Sequence, residues 1–145
     1  MCKIGDIIGV PKFIGQDGQE VPFHYFVVVS DEKGKICGFN FDVVGTVMSS
    51  FKDEKQRQRK LQHKGNIEIK ETEFSLSDRN KKDGFIKGDQ LFYFDKSKTN
   101  YFVVGQVDGD VLLNLLERIS SLDEQNKLTV NISNVIEKIE ETIGN

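Results

Sequence analysis

The run His24-Tyr25-Phe26-Val27-Val28-Val29-Ser30 constrains the fold of this chain more than any other segment. Aromatic and β-branched side chains in unbroken succession suit a pleated, packed backbone and lose χ1 freedom in a helix. The residues around it punctuate the chain into short strands. A polar loop with two glycines, residues 15–20, precedes the run, and Asp31-Glu32-Lys33-Gly34-Lys35 after it reads as a hairpin turn. Residues 36–47 continue apolar and β-favouring, with Gly38 and Gly45 as candidate bulges. A first strand is expected over residues 4–10, ending at Pro11, and others over 66–70, 91–95 and 101–107.

Helical spacing enters only late in the chain. Val111, Leu112, Leu115, Leu116 and Ile119 recur with helical period behind Asp108 or Asp110 as cap. A second amphipathic helix is expected over residues 133–143, with Val135, Ile136, Ile139 and Ile143 on one stripe before Gly144-Asn145. Strands through the first three quarters followed by a helix indicate a mainly-β or α+β fold, a small barrel with a helix packed on it, and exclude a βαβ array. Residues 1–121 would form the barrel domain and 122–145 a helical extension.

Composition narrows the setting. At 145 residues, 37% hydrophobic and 30% charged, the chain suits one globular domain. Its longest apolar runs, such as residues 26–29 and 111–113, are far below the roughly 18 needed to cross a bilayer, so no membrane association is expected. With Asp6 so early and no long apolar stretch after Met1, no secretory signal is expected either, and a cytoplasmic location follows. Cys2 and Cys37 then stay reduced, and their spacing suits neither a disulfide framework nor a zinc site.

The net charge of −3 is unevenly distributed. Residues 52–64 carry six basic side chains against two acids, whereas residues 108–145 carry eight acids against three bases. The basic stretch, with Lys52, Arg57, Arg59 and Lys60, reads as a mobile loop or irregular helix that attracts phosphate and contributes no chemistry. It has no interleaved aromatic residues and so offers no stacking platform.

No Walker A, dinucleotide-binding, HExxH or GxSxG motif occurs, and with only His24 and His63 a multi-histidine metal site is not expected. Four blocks and a closing helix carry a resemblance instead. Lys3-Ile4-Gly5-Asp6-Ile7-Ile8-Gly9-Val10 is similar to the opening strand of the MazF/PemK/Kid-like toxins of bacterial toxin–antitoxin modules. His24 to Ser30, and Val47-Met48-Ser49-Ser50, stand where that family has two further strands. Most specific is Gly84-Phe85-Ile86-Lys87-Gly88-Asp89-Gln90-Leu91-Phe92-Tyr93-Phe94-Asp95, followed by Gly105-Gln106-Val107 and the helix at 111–119. The resemblance spans residues 3–119. His24 stands in place of the family's usual arginine, Tyr25 of its proline, Ser49 of its threonine, and Lys87 of an arginine found in one branch.

The resemblance implies an SH3-like barrel that cleaves single-stranded RNA without metal or cofactor, through a 2′,3′-cyclic phosphate, as a homodimer restrained by an antitoxin. Such cleavage needs a base for the 2′-hydroxyl, a donor for the phosphorane and an acid for the leaving oxygen. His24, Ser49, Lys87 and Asp89 are the expected catalytic set. His24 acts in proton transfer, Lys87 and Asp89 meet the substrate from one strand face, and Ser49 donates to the phosphate. Gln90, Ser50, Lys52, Arg57, Arg59 and Lys60 are the expected RNA-binding residues, with His63 limited to backbone attraction. Against this stands a non-enzymatic barrel that poisons a protein target, as CcdB-type toxins do, or serves as a binding module, and a turn at Lys87-Gly88-Asp89 with no chemical role.

Overall fold

The computed structural model describes residues 2–15 and 17–132. In chain order the elements are β1 (Asp6–Val10), β2 (Phe13–Ile14), β3 (Glu20–Val21), β4 (His24–Ser30), β5 (Val43–Ser50), α1 (Glu54–Gln62), β6 (Asn66–Ile69), a 3-10 turn (Glu71–Glu73), β7 (Gly84–Lys87), β8 (Gln90–Phe94), β9 (Phe102–Gln106), α2 (Gly109–Glu124) and β10 (Thr129–Ile132). The fold is α+β, mostly sheet with two helices. No described helix is long and apolar enough to cross a membrane.

The principal sheet runs β10-β8-β5-β4-β1-β9, with β7 also on β5 and β6 on β7. β4 sits between β1 and β5 and is buried on both faces, which explains its continuous apolar sequence. Tyr25, Val27 and Val29 face one core and Phe26 and Val28 another. α2 covers the first face with Val111, Leu115 and Ile119, at the spacing visible in the sequence. The β2–β3 hairpin closes over the second, where Phe94 meets Phe13 and Phe26 edge to face at 5.2 and 5.1 Å and Phe13 lies tilted against Phe26 at 6.0 Å. Beyond β6 the chain turns and reaches the far edge of the sheet. There the Ser75 and Ser77 amides donate to Gln106 and Val104 of β9 at 2.9 and 2.7 Å.

β7 and β8 follow one another along the same side of β5. Ile86 pairs with Met48 and Phe92 with Gly45, so six steps on one strand face three on the other. The surplus residues around Gly88-Asp89 are pushed out of the ladder as a kink, as in a bulge. Lys87-Gly88-Asp89 is thus a turn, and not a straight strand with two aligned side chains.

The structure corrects other expectations. Residues 31–42 form one long connection, and the strand expected from residue 36 begins at Val43. Cys37 and Gly38 have positive φ of 57° and 72°, which breaks any extended ladder there. The basic stretch contains a regular helix. Asp53 caps it by accepting from the Gln56 amide at 2.7 Å, and Gln56 accepts from the Lys52 amide at 2.7 Å. The expected boundary at 121/122 falls within α2, and Thr129–Ile132 joins the main sheet as a parallel neighbour of β8. The helix expected over 133–143 lies outside the described residues.

Candidate active site

His24, Arg59, Lys60, His63, Lys87, Asp89 and Gln90 line one open depression of about 510 Å³. Its residues come from the start of β4, the last turn and cap of α1, and the kink between β7 and β8. Both histidines of the chain border it. Ser49 and Ser50 do not: they line an adjoining hollow of about 330 Å³ with Phe23, Tyr25, Arg79 and Asn80, and His24 is shared between the two. The expected set is therefore divided, with Ser49 on the far side of His24.

His24 opens β4 opposite Val10. Its Nδ1 donates to the Pro22 carbonyl at 2.7 Å, because a carbonyl can only accept. In a neutral ring Nε2 then carries the lone pair, so His24 is oriented as a proton acceptor.

The sequence limits His63 to attracting the RNA backbone, but the fold gives it a defined position. It is the C-cap of α1, and its amide bonds to the Lys60 carbonyl. The helix has no buried residue, so other contacts anchor it. Arg57 donates through Nε and Nη2 to Glu68 Oε2 at 2.9 and 2.6 Å, and Asn66 Nδ2 donates to the Lys60 carbonyl at 2.9 Å. The Glu68 carboxylate holds the Arg57 guanidinium above its ordinary pKa, chiefly through that hydrogen bond. Arg57, expected on the RNA, is thus engaged in the scaffold, and exposed Lys52 lines neither depression.

Across the opening, His63 Nε2 donates to Asp89 Oδ2 at 2.8 Å. The carboxylate side chain is 14% exposed and the imidazole 59%. Asp89 comes this close because position 65 has no side chain. A Cβ on Gly65 would lie 2.7 Å from Asp89 Oδ1, and the Gly88 amide bonds to the Gly65 carbonyl at 2.8 Å. Lys87, at the end of β7 opposite Asn66, brings an ammonium to the same depression. Gln90 also borders it, with Oε1 accepting from Asn131 at 3.4 Å. Lys60 adds a second ammonium, 5.8 Å from the Phe85 ring centroid. Among the described residues no group of three or more His, Cys, Asp or Glu side chains is placed to hold a metal ion.

Arg79 is a further cation that sequence reasoning missed. Its guanidinium lies 4.9 Å from the Tyr25 ring centroid, and the Tyr25 hydroxyl donates to Asp78 Oδ2 at 2.6 Å. Burial, and then the Asp78 hydrogen bond, push the Tyr25 phenol up to about 12. Nothing in the local pattern of residues 77–83 marks Arg79, which reaches β4 by folding back across the sheet. Only the scarcity of histidine, two in the whole chain, hints at His63.

The arrangement combines a proton acceptor, an imidazole held by a carboxylate, and cations around one opening. Comparison with protein-family models, curated proteins and solved structures finds no match to this chain.

Proposed function

We propose that the chain is a metal-independent endoribonuclease that cleaves single-stranded RNA by attack of the 2′-oxygen on the adjacent phosphorus. The observation that carries this reading is the convergence of His24, the His63–Asp89 pair and Lys87 on one depression. His24 Nε2 takes the 2′-hydroxyl proton as the oxygen bonds to phosphorus. The phosphorane charge is met by Lys87, with Arg59 and Lys60 on the rim. His63, when protonated, is ion-paired to Asp89 and offers Nδ1–H to the departing 5′-oxygen. The products are a 2′,3′-cyclic phosphate and a 5′-hydroxyl, and the two imidazoles have exchanged protonation states.

This assignment departs from the MazF/PemK-like expectation in three respects, the first being that His63 serves as the acid where only backbone attraction was expected of it. Asp89 acts by positioning His63, and Ser49 does not approach the scissile phosphate. The resemblance is otherwise kept, including an SH3-like barrel, homodimer assembly, restraint by an antitoxin and a cytoplasmic setting. The hydrogen bonds of Ser75 and Ser77, in the segment that follows β6, to β9 at one edge of the sheet support the barrel reading.

The test is incubation of the full chain with a long unstructured RNA in EDTA, followed by chemical identification of the new ends. Cyclic phosphate and 5′-hydroxyl ends are expected. Intact RNA would overturn the proposal and favour a non-enzymatic toxin, and ends bearing 5′-phosphate would overturn attack by the 2′-oxygen in favour of hydrolysis by water.

A further inference from the structure

We infer that the hollow beside the proposed cleavage site is a nucleobase subsite, lined by Phe23, Tyr25 and Arg79, with Phe102 stacked on Phe23 at its edge. Two aromatic side chains are left on the surface here: Phe23 is 37% exposed and Phe102 42%. Their rings lie 6.2 Å apart with planes inclined by 28°, close to stacked. They are bedded on β1 because position 9 is glycine. A Cβ on Gly9 would meet Phe102 Cζ at 2.8 Å and Phe23 Cε2 at 3.1 Å.

Tyr25 supports Phe23 from the core side, edge to face at 4.9 Å and 86°. Arg79 spans both rings, 4.9 Å from the Tyr25 centroid and 5.9 Å from that of Phe23. Asp78 holds the Tyr25 hydroxyl, so the ring on which the Arg79 guanidinium lies has a fixed position without a ligand. The result is an aromatic surface with a planar cation at its rim, opening into a hollow of about 330 Å³ where Ser49, Ser50 and Asn80 supply donors and acceptors.

A planar, weakly polar group with hydrogen-bonding edges fits this chemistry, and an unpaired base is such a group. An apolar peptide would leave Arg79, Asn80 and the serines unpaired. Position selects the same ligand. His24 borders both hollows, so a strand with its phosphate among Lys87, His63 and Asp89 directs a neighbouring base onto Phe23. Ser49 and Ser50 thereby read or hold a base, where the sequence suggests a phosphate contact for Ser49. The subsite rests on the proposed function only for the location of that phosphate.

The experiment uses a short unstructured 2′-O-methyl RNA, which cannot be cleaved, and measures its binding by fluorescence anisotropy. Phe23→Ala, Phe102→Ala and Arg79→Gln should each weaken binding by about tenfold, the scale of one base stack. The loss should shrink for an oligonucleotide with an abasic residue at the contacted position. On cleavable RNA the same variants should change which base is tolerated beside the cut.

Unchanged affinity and unchanged cut-site composition in folded variants would overturn the subsite. A switch of the Phe23 or Phe102 variant from dimer to monomer, with RNA binding intact, would overturn it in favour of an interface between copies. If the wild type binds the oligonucleotide with this variant pattern yet leaves RNA intact in EDTA, the subsite stands and the nuclease reading falls. If the wild type cleaves but the variants do so with unaltered preference, the reverse holds.

Discussion

His63 donates to Asp89 across a gap that only a glycine at position 65 leaves open: 2.8 Å separates Nε2 from Oδ2, and a methyl on residue 65 would press into the same carboxylate, 2.7 Å from Oδ1. Gly65→Ala should therefore displace Asp89 or the whole kink, while the buried sheet strands are untouched. Turnover should fall by about a hundredfold, the scale of a misplaced catalytic group, with the thermal transition only modestly lowered. RNA cleavage rates and melting curves check this, and a fully active Gly65→Ala would show that the pair is dispensable.

The proposed mechanism gives the two histidines opposite duties, and a change of leaving group separates them. On RNA, His24→Ala and His63→Ala should each lose on the order of a hundredfold or more in turnover. On a uridine 3′-phosphodiester with a nitrophenolate leaving group, which departs without a proton, His63→Ala should recover most of its rate. His24→Ala should not. Equal losses on both substrates would remove His63 from the acid role.

Charge around the depression should act through binding. Arg59→Gln with Lys60→Gln should weaken RNA affinity and flatten its salt dependence by about one unit of slope for each phosphate no longer neutralised. Arg57→Gln should change the slope less, because Glu68 already engages that guanidinium, and should instead loosen α1. Salt titrations of binding to uncleavable RNA measure both effects.

All three tyrosines of the chain are held above the ordinary phenol value of 10.0, and burial is the largest cause for each. The sign follows: a raised phenol pKa means the folded state favours the neutral ring. The associated stability is complete below pH about 10 and is lost as pH rises toward about 12, the value for Tyr25. Phenolate absorbance should thus appear late and together with unfolding, whereas early ionisation of Tyr25 in a folded protein would contradict its burial and its bond to Asp78.

Thr46, fully buried in β5, carries the one buried side-chain polar atom without a hydrogen-bond partner among the described residues. Thr46→Val keeps the shape and removes the unsatisfied hydroxyl, so stability should rise by about 1 kcal/mol in chemical denaturation. A loss of that size would reveal a partner for the hydroxyl.

Some of this organisation is inherent in local sequence. The run that forms β4 states its own burial, since Tyr25, Phe26 and the three valines leave no polar face, and the period of Val111, Leu115 and Ile119 specifies the side of α2 that meets the sheet. Both are properties of neighbours along the chain, where side-chain shape and spacing act directly on the backbone. α1 is harder to read because it buries nothing and has no apolar period, so its clearest marks are the Asp53 cap and a fit to Glu68. The site depends on pairs far apart in sequence: His63 with Asp89 across 26 residues, and Tyr25 with Asp78 across 53. Such pairs arise from strand register, the surplus residues between Ile86 and Phe92, and the missing side chain at Gly65. No local pattern encodes them, because the energy that holds each pair is realised only after the sheet has set the distance.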